Sequence, residues 1–535
     1  MLKYDLILNN VSIIDGSGAA PFKGALAVSD GHIARIWRQS LPALDDLSLA
    51  GEVIDGMGLT LSPGFIDIHS HSDTTIMNVP AAESRILQGI TTEFGGNCGI
   101  SAAPCDPAHK EDLLYYLREN FRASDFAWQS MEEYLTYIES CSPSVNIGSF
   151  VGHGSLRIAA MGFKSDAPSK EEMAHMKTLL KEALEAGAFG LSSGLIYPPG
   201  SYAKAAELEE LAAMLPDYDA IYATHMRNEG LDLAASVKEA IHLAESSHAF
   251  VEISHHKEFR KEMWGSAVHE TIALMKEARS RGVKIAFDQY PYRATASSLD
   301  TNVSSWAFEG GREKFLERMR DPKSRSRLRE ESNASHVGRW QDVYVAYAHG
   351  QENKWAVGKN ILEIAEMTGK DPADACFDLI LDTNGLVNEV NYGMCEEDIE
   401  YIMSQNFGVI GSDGEAMSLD HDGIPHPRVF GTFPRVLAHY CRKRKLFPLE
   451  KAIHKMTGMP AERMGLKDRG LIREGMWADL VLFDPDEICD TPSYENPRQP
   501  CSGIERVYVN GILTALKGRH TGTRAGQVLR HIRAD

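Results

Sequence analysis

The chain opens with apolar and polar residues in alternation, in "YDLILNN", "VSIIDGSG", "ALAVSDGHIARIW" and "EVIDGMGLTLSPG". A period of two puts successive side chains on opposite faces of a strand, and Asp-Gly between two such runs is a hairpin signal. The same texture returns near the C-terminus in "GLIREGMWADLVLFDP" and "IERVYVNGILTALKG". Two strand-rich ends around a different middle predict a small β-sandwich assembled from residues 1–62 and 466–535.

Between residues 63 and 465 the pattern changes. Short apolar runs ("GFIDIH", "ITTEFGG", "VNIGSFVGH", "AFGLSSG", "AIYATHM", "AFVEISHH", "VKIAFDQYPY", "FGVIGSDG") alternate with stretches such as "SKEEMAHMKTLLKEALEAG" and "LDLAASVKEAIHLAESS". The apolar residues of the longer stretches recur at three-to-four spacing, which is helical. Strands alternating with helices build a parallel sheet, and eight such runs predict an α/β fold of the (β/α)8 TIM-like barrel type. Residues from about 291 to 348 are rich in Arg, Lys and Glu and carry a strand of their own, "VYVAYAHG", so they read as an inserted subdomain or lid.

Composition narrows the partners. A hydrophobic content of 43% and a charged content of 24% over 535 residues are those of a globular chain. A formal net charge of −20 argues against a nucleic-acid partner, because phosphates are bound by basic faces. It leaves an anionic small molecule open, since a few buried cations dominate a pocket locally. The N-terminus lacks a signal-peptide pattern, and no uncharged apolar stretch is long enough for a bilayer. The eight cysteines are scattered without paired spacing. Reduced thiols, a cytoplasmic location and no membrane partner are therefore expected. Oligomeric state is not legible.

The chemistry sits at the ends of the apolar runs, where a barrel places its active site. There the chain has His69 and His71 in "GFIDIHSHSD", Cys98 in "EFGGNCG", His225 in "ATHMRNEG", His255 in "ISHHKE" and Asp413 in "GSDG". Residues two apart on a strand face the same way, so His69 and His71 can point together into the barrel mouth. Taken singly, each has an ordinary explanation: a hydrogen-bonded imidazole, a small buried thiol, a Ser-Asp-Gly turn. His153 and His256 are left to that explanation. Six such groups at strand ends point instead to a metal, and imidazole, thiolate and carboxylate are the ligands Zn²⁺ takes.

These motifs also resemble a known family. "GFIDIHSHSD" is similar to the His-x-His opening of the amidohydrolase superfamily, and "GLIREGMWADLVLFDP" to its closing sandwich strand. Within it, "EFGGNCGISAAP", "FGLSSGLIYPPGSYA", "THMRNEG", "ISHHK", "DQYPY", "GSDG" and "HPRVFGTFPRVL" resemble the N-acyl-D-amino-acid deacylases, almost end to end. The resemblance implies a binuclear-type site in which Cys98, His225 and His255 hold a tight zinc. His69 and His71 would serve a second, weakly filled position. It further implies Asp413 as the proton shuttle, Lys257 and Arg428 on the substrate α-carboxylate, Tyr197 near the scissile carbonyl and Tyr290 lining the pocket.

Zinc acidifies a bound water and polarises a carbonyl, which suits amide hydrolysis. The substrate expected is a small N-acyl amino acid, its D configuration implied by the resemblance alone. Dihydroorotases and hydantoinases carry a bridging carboxylated lysine on the fourth strand. Here that strand reads "GAFGLSSG" and has none, which favours an open-chain amide over a cyclic one. A cyclic-amide hydrolase and a catalytically silent scaffold are the alternatives. Arg293, after "DQYPY", reads as a solvated lid residue rather than a contact for an acidic side chain.

Overall fold

The computed structural model describes residues 3–39, 41, 50–117, 126–336, 339–420 and 422–532. The N-terminal strands are β1 (Tyr4–Ile13), β2 (Phe22–Ser29), β3 (His32–Trp37), β4 (Ala50–Asp55) and β5 (Thr60–Pro63). They share one nine-stranded sheet with the C-terminal strands β18 (Leu480–Phe483), β19 (Ile504–Val509), β20 (Ile512–Leu516) and β21 (Arg519–His520). The two ends of the chain meet where β5 pairs antiparallel with β18, Leu61 opposite Leu482. Alternate residues Leu6, Leu8, Leu26 and Val28 join Leu61, Leu480 and Leu482 in one core, the outcome that period-two alternation dictates.

The middle of the chain is α/β. Strands β6 (Phe65–Asp67), β7 (Ile90–Gly95) and β8 (Asn146–Ser149) form a parallel three-stranded sheet. A parallel six-stranded sheet follows: β9 (Val151–Gly152), β10 (Gly190–Gly194), β11 (Ile221–His225), β12 (Phe250–Ile253), β13 (Ile285–Gln289) and β17 (Gly408–Ile410). These strands are almost wholly buried, which is why they read as unbroken apolar runs. The helix Lys170–Glu185 before β10 begins at a capping box, Ser169 with Glu172, and buries Met176, Leu180, Ala183 and Leu184 at helical spacing. The helices Leu233–Ser247 and Ala267–Ser280 lead into β12 and β13 in the same way.

The inserted unit is larger than the sequence suggests. Its antiparallel sheet has the order β14 (Ala294–Ser298), β16 (Val387–Tyr392), β15 (Val343–Ala348). It has its own core, including Phe308, Phe315, Leu328, Trp340 and Phe377. The boundary expected near 348 is therefore corrected to the end of β16. The helices Ile361–Thr368 and Pro372–Asp382 look like a return to the strand–helix alternation, but their apolar faces belong to the insert core. No described helix is long and apolar enough to cross a membrane, and all eight cysteines are free thiols.

Candidate metal centre

The polar ends of β6, β11 and β17, with the turns after β7 and β12, converge on one thiol. Ligand-type atoms of His69, His71, Cys98 and Asp413 lie within 4.8 Å of one another, and so do those of Cys98, His225 and His255. Cys98 belongs to both groups. Its Sγ is 3.4 Å from His69 Nε2 and 3.6 Å from His255 Nε2. All six metal and proton-transfer candidates read from the sequence are thus brought together.

Local backbone explains how such short turns present these groups. Cys98, His255 and Asp413 have φ of 53°, 36° and 51°, a left-handed conformation that non-glycine residues rarely adopt outside constrained sites. The loop bearing Cys98 presses on β10: a Cβ at Gly99 would lie 2.5 Å from Gly194 N. The Asn97 amide donates to the carbonyls of Phe94 at 2.9 Å and Ile68 at 3.2 Å, fixing that loop to the strand that carries the histidines. Asp413 N donates to His69 O at 2.8 Å, and His71 N to Gly414 O at 2.7 Å, which joins the ends of β6 and β17.

Carboxylates stand behind the rings. Asp288 accepts from His69 Nδ1 with both oxygens at 3.0 Å, leaving Nε2 directed at Cys98. Glu229 Oε1 is 3.0 Å from His255 Nδ1 and Oε2 is 3.4 Å from His225 Nε2. Such outer carboxylates fix ring orientation and raise ligand basicity. Burial disfavours a thiolate at Cys98, but His69, His225 and His255 outweigh it and hold the thiol well below its usual range. Burial lowers His225, which keeps a neutral ring, and neither of its nitrogens makes a hydrogen bond. An anionic sulfur among imidazoles, one of them with unmet nitrogens, is a donor set that fits zinc. Asp413 is buried, yet Arg428, His69 and His71 hold its carboxyl well below the ordinary range, so it is ionised.

The centre opens into a cavity of ≈ 1390 Å³ lined by Tyr197, Lys257, Tyr290 and Arg428 as well as by the insert. Arg428 lies 4.9 Å over the Tyr290 ring, with Nη1 2.8 Å from Asp413 Oδ2. That contact is an ion pair, and the buried Nε remains a donor with no hydrogen-bond partner. Lys257 lines the same cavity and is anchored to protein groups. Its Nζ is 2.6 Å from Glu229 Oε1, 2.7 Å from His255 Nδ1 and 3.2 Å from His255 O. Glu229 and the His255 carbonyl accept from the ammonium, whereas His255 Nδ1, which faces Glu229 at 3.0 Å, carries its own proton when Nε2 serves as the ligand, so one lysine donor is left for the cavity. His153 and His256 stand apart, bonded to Glu207 and Thr271, and Arg293 is exposed.

The model of the amidohydrolase family, Amidohydro_3, matches residues 52–514. The chain belongs to this family. Among relatives of this amidohydrolase, the D-aminoacylase of Alcaligenes xylosoxydans xylosoxydans is 34% identical over 98% of this chain and 97% of its own. The N-acyl-D-aspartate deacylase of the same organism is 34% identical over 98% of this chain and 95% of its own. A solved N-acyl-D-glutamate deacylase from Bordetella bronchiseptica, complexed with zinc and a phosphonate inhibitor, superposes with a TM-score of 0.83 at 32% identity. That match covers 99% of this chain and 100% of the other.

Sequence reading of this amidohydrolase missed Asp288 and Glu229. A carboxylate signal existed for both, Asp288 in the strand end "DQYPY" and Glu229 four residues after His225 in "THMRNEG". What could not be read is which imidazole each one faces.

Proposed function

We propose that this chain is a zinc-dependent hydrolase of N-acyl-D-amino acids, yielding a carboxylate and the free D-amino acid. Similarity to D-amino-acid deacylases over nearly the whole chain supports the reaction and its stereochemistry. The observation that carries the substrate class is Arg428: a buried guanidinium whose Nε is unpartnered, lining the cavity beside the metal ligands. A planar fork of this kind matches a carboxylate, and an N-acyl amino acid brings one next to its scissile amide. The alternative of a cyclic amide lacks its bridging residue, because β10 supplies no lysine.

The scaffold fits the role. We read the parallel strands as one (β/α)8 barrel: only Phe150 separates β8 from β9, and a parallel bridge between Ser70 and Gly414 closes β6 onto β17. The nine-stranded sheet we read as the outer sandwich built from both termini. Cys98, His225 and His255 are the residues for the tight zinc, and His69 and His71 with Cys98 for a second position. When bound, zinc supplies Lewis acidity for the carbonyl and lowers the pKa of a nucleophilic water. Asp413, held ionised, accepts the water proton and passes it to the departing nitrogen as the C–N bond breaks. Burial pushes the Tyr197 phenol well above its usual range, so it stays a donor for the carbonyl oxygen. Lys257 holds Glu229 in place.

Two outcomes test these roles. Arg428→Met should lower kcat/KM for an N-acetyl-D-amino acid on the order of 10²-fold, because losing one partner of a buried charge pair costs roughly 2–5 kcal/mol. The loss should be smaller for the matching N-acetyl amino-acid amide, which has no carboxylate and feels only the loss of the Arg428–Asp413 ion pair. Equal losses on both would make Arg428 a structural residue. Glu229→Gln should weaken zinc about 10–100-fold, the usual cost of disturbing an outer ligand partner, in a competition titration against a chelator. Unchanged zinc affinity would remove Glu229 from that role.

A further inference from the structure

One wall of the cavity is the sheet of the insert. Register pairs Ser297 with Glu389 and Thr295 with Asn391, and opposed residues of an antiparallel pair share a face. All four line the cavity, although Glu389 and Asn391 are only 2% and 5% exposed. Asn302 Nδ2 donates to Glu389 Oε2 at 2.5 Å, while Asn391 Nδ2 and the Ser297 hydroxyl each approach Glu389 Oε1 at 3.5 Å. The remaining acceptor, Asn391 Oδ1, is buried and receives no hydrogen bond. An unmet buried acceptor is costly, and a ligand donor removes that cost.

Charge decides which donor fits. None of β14, β15 and β16 carries a lysine or arginine. Burial, with the Asp300 carboxylate nearby, pushes the Glu389 carboxyl up to about 8, so near neutral pH Glu389 is mostly protonated and the charge beside it, on Asp300, is negative. Arg428 Nη2 donates to Ala296 O at 3.2 Å, which sets the wall beside the group assigned to the α-carboxylate. We propose that Ser297, Glu389 and Asn391 form a subsite for an uncharged hydrogen-bond-donating group of the substrate, a primary amide above all, and that it rejects a carboxylate. An amide NH₂ donates to Asn391 Oδ1, and its carbonyl accepts from the Glu389 acid or the Ser297 hydroxyl. A carboxylate would face that acceptor with no cation on the wall. The inference rests on the N-acyl amino acid reading, and either the side chain or the acyl arm of such a substrate can carry the amide.

The test uses isosteric pairs on the zinc-loaded enzyme. N-acetyl-D-glutamine should be hydrolysed with kcat/KM at least about tenfold above N-acetyl-D-glutamate, since a site built for a hydrogen bond discriminates strongly against its mismatch. N-succinamoyl-D-leucine against N-succinyl-D-leucine asks the same of the acyl arm, and an amide preference in that pair assigns the subsite to the acyl group. In Asn391→Leu, or in Ser297→Ala if the first does not fold, the preferred ratio should fall by about tenfold with zinc content retained. Equal or acid-favouring rates in both pairs would overturn the proposal, as would a wild-type ratio in the folded variant. Acid preference would point instead to Arg260 and Arg339 on another part of the cavity. If no N-acyl-D-amino acid is hydrolysed, the proposed function fails. Calorimetric binding of the glutamine and glutamate pair to the same protein then decides the subsite alone.

Discussion

Replacing Cys98 by alanine is expected to remove most bound zinc and nearly all activity. Cys98 is the one residue common to both ligand groups, and its thiolate is the anionic donor among four imidazoles. Losing a ligand should cost more than the roughly 10–100-fold typical of losing an outer partner. Folding should survive, since the thiol is a small buried group and the turn is also held by Asn97 and Gly99. Cys98→Ser sharpens the test. It keeps the shape, but a hydroxyl stays protonated where a thiol ionises, so this variant should fail nearly as badly. Zinc content by elemental analysis and turnover are the readouts. Full zinc and near-normal turnover in either variant would return Cys98 to a packing role.

Asp413→Asn is expected to lower kcat on the order of 10²–10⁴-fold while zinc stays at Cys98, His225 and His255. The amide keeps the volume and cannot take a proton. The loss should fall on kcat rather than KM, because Arg428, freed of its 2.8 Å ion pair, still meets the substrate carboxylate. A variant that loses its metal and regains activity with added zinc would make Asp413 a ligand and not a proton carrier.

Much of this was legible because burial leaves a mark on sequence. Strands covered on both faces must be apolar throughout, so "GFIDIH" and "AIYATHM" stand out and the histidines ending them are conspicuous. The alternation of β1 and β2 is equally plain, one face toward a core. Strand β16 was not legible for the converse reason. It turns Glu389 and Asn391 toward a cavity, and its partners β14 and β15 lie far from it in the chain. Asp288, Glu229 and the engagement of Lys257 were missed because their meaning is a distance to a ring on another strand. Residue type and spacing do not encode that distance.

The most direct test is release of free amine by the zinc-reconstituted protein from matched N-acetyl-D- and N-acetyl-L-amino acids, with ring opening of a cyclic hydantoin to its N-carbamoyl amino acid followed by chromatography alongside. Hydrolysis of the D compounds is expected, with little of the L compounds or the hydantoin, and with loss of activity on chelation and recovery on zinc. Inert N-acetyl-D-amino acids beside a hydrolysed hydantoin would contradict the proposed function.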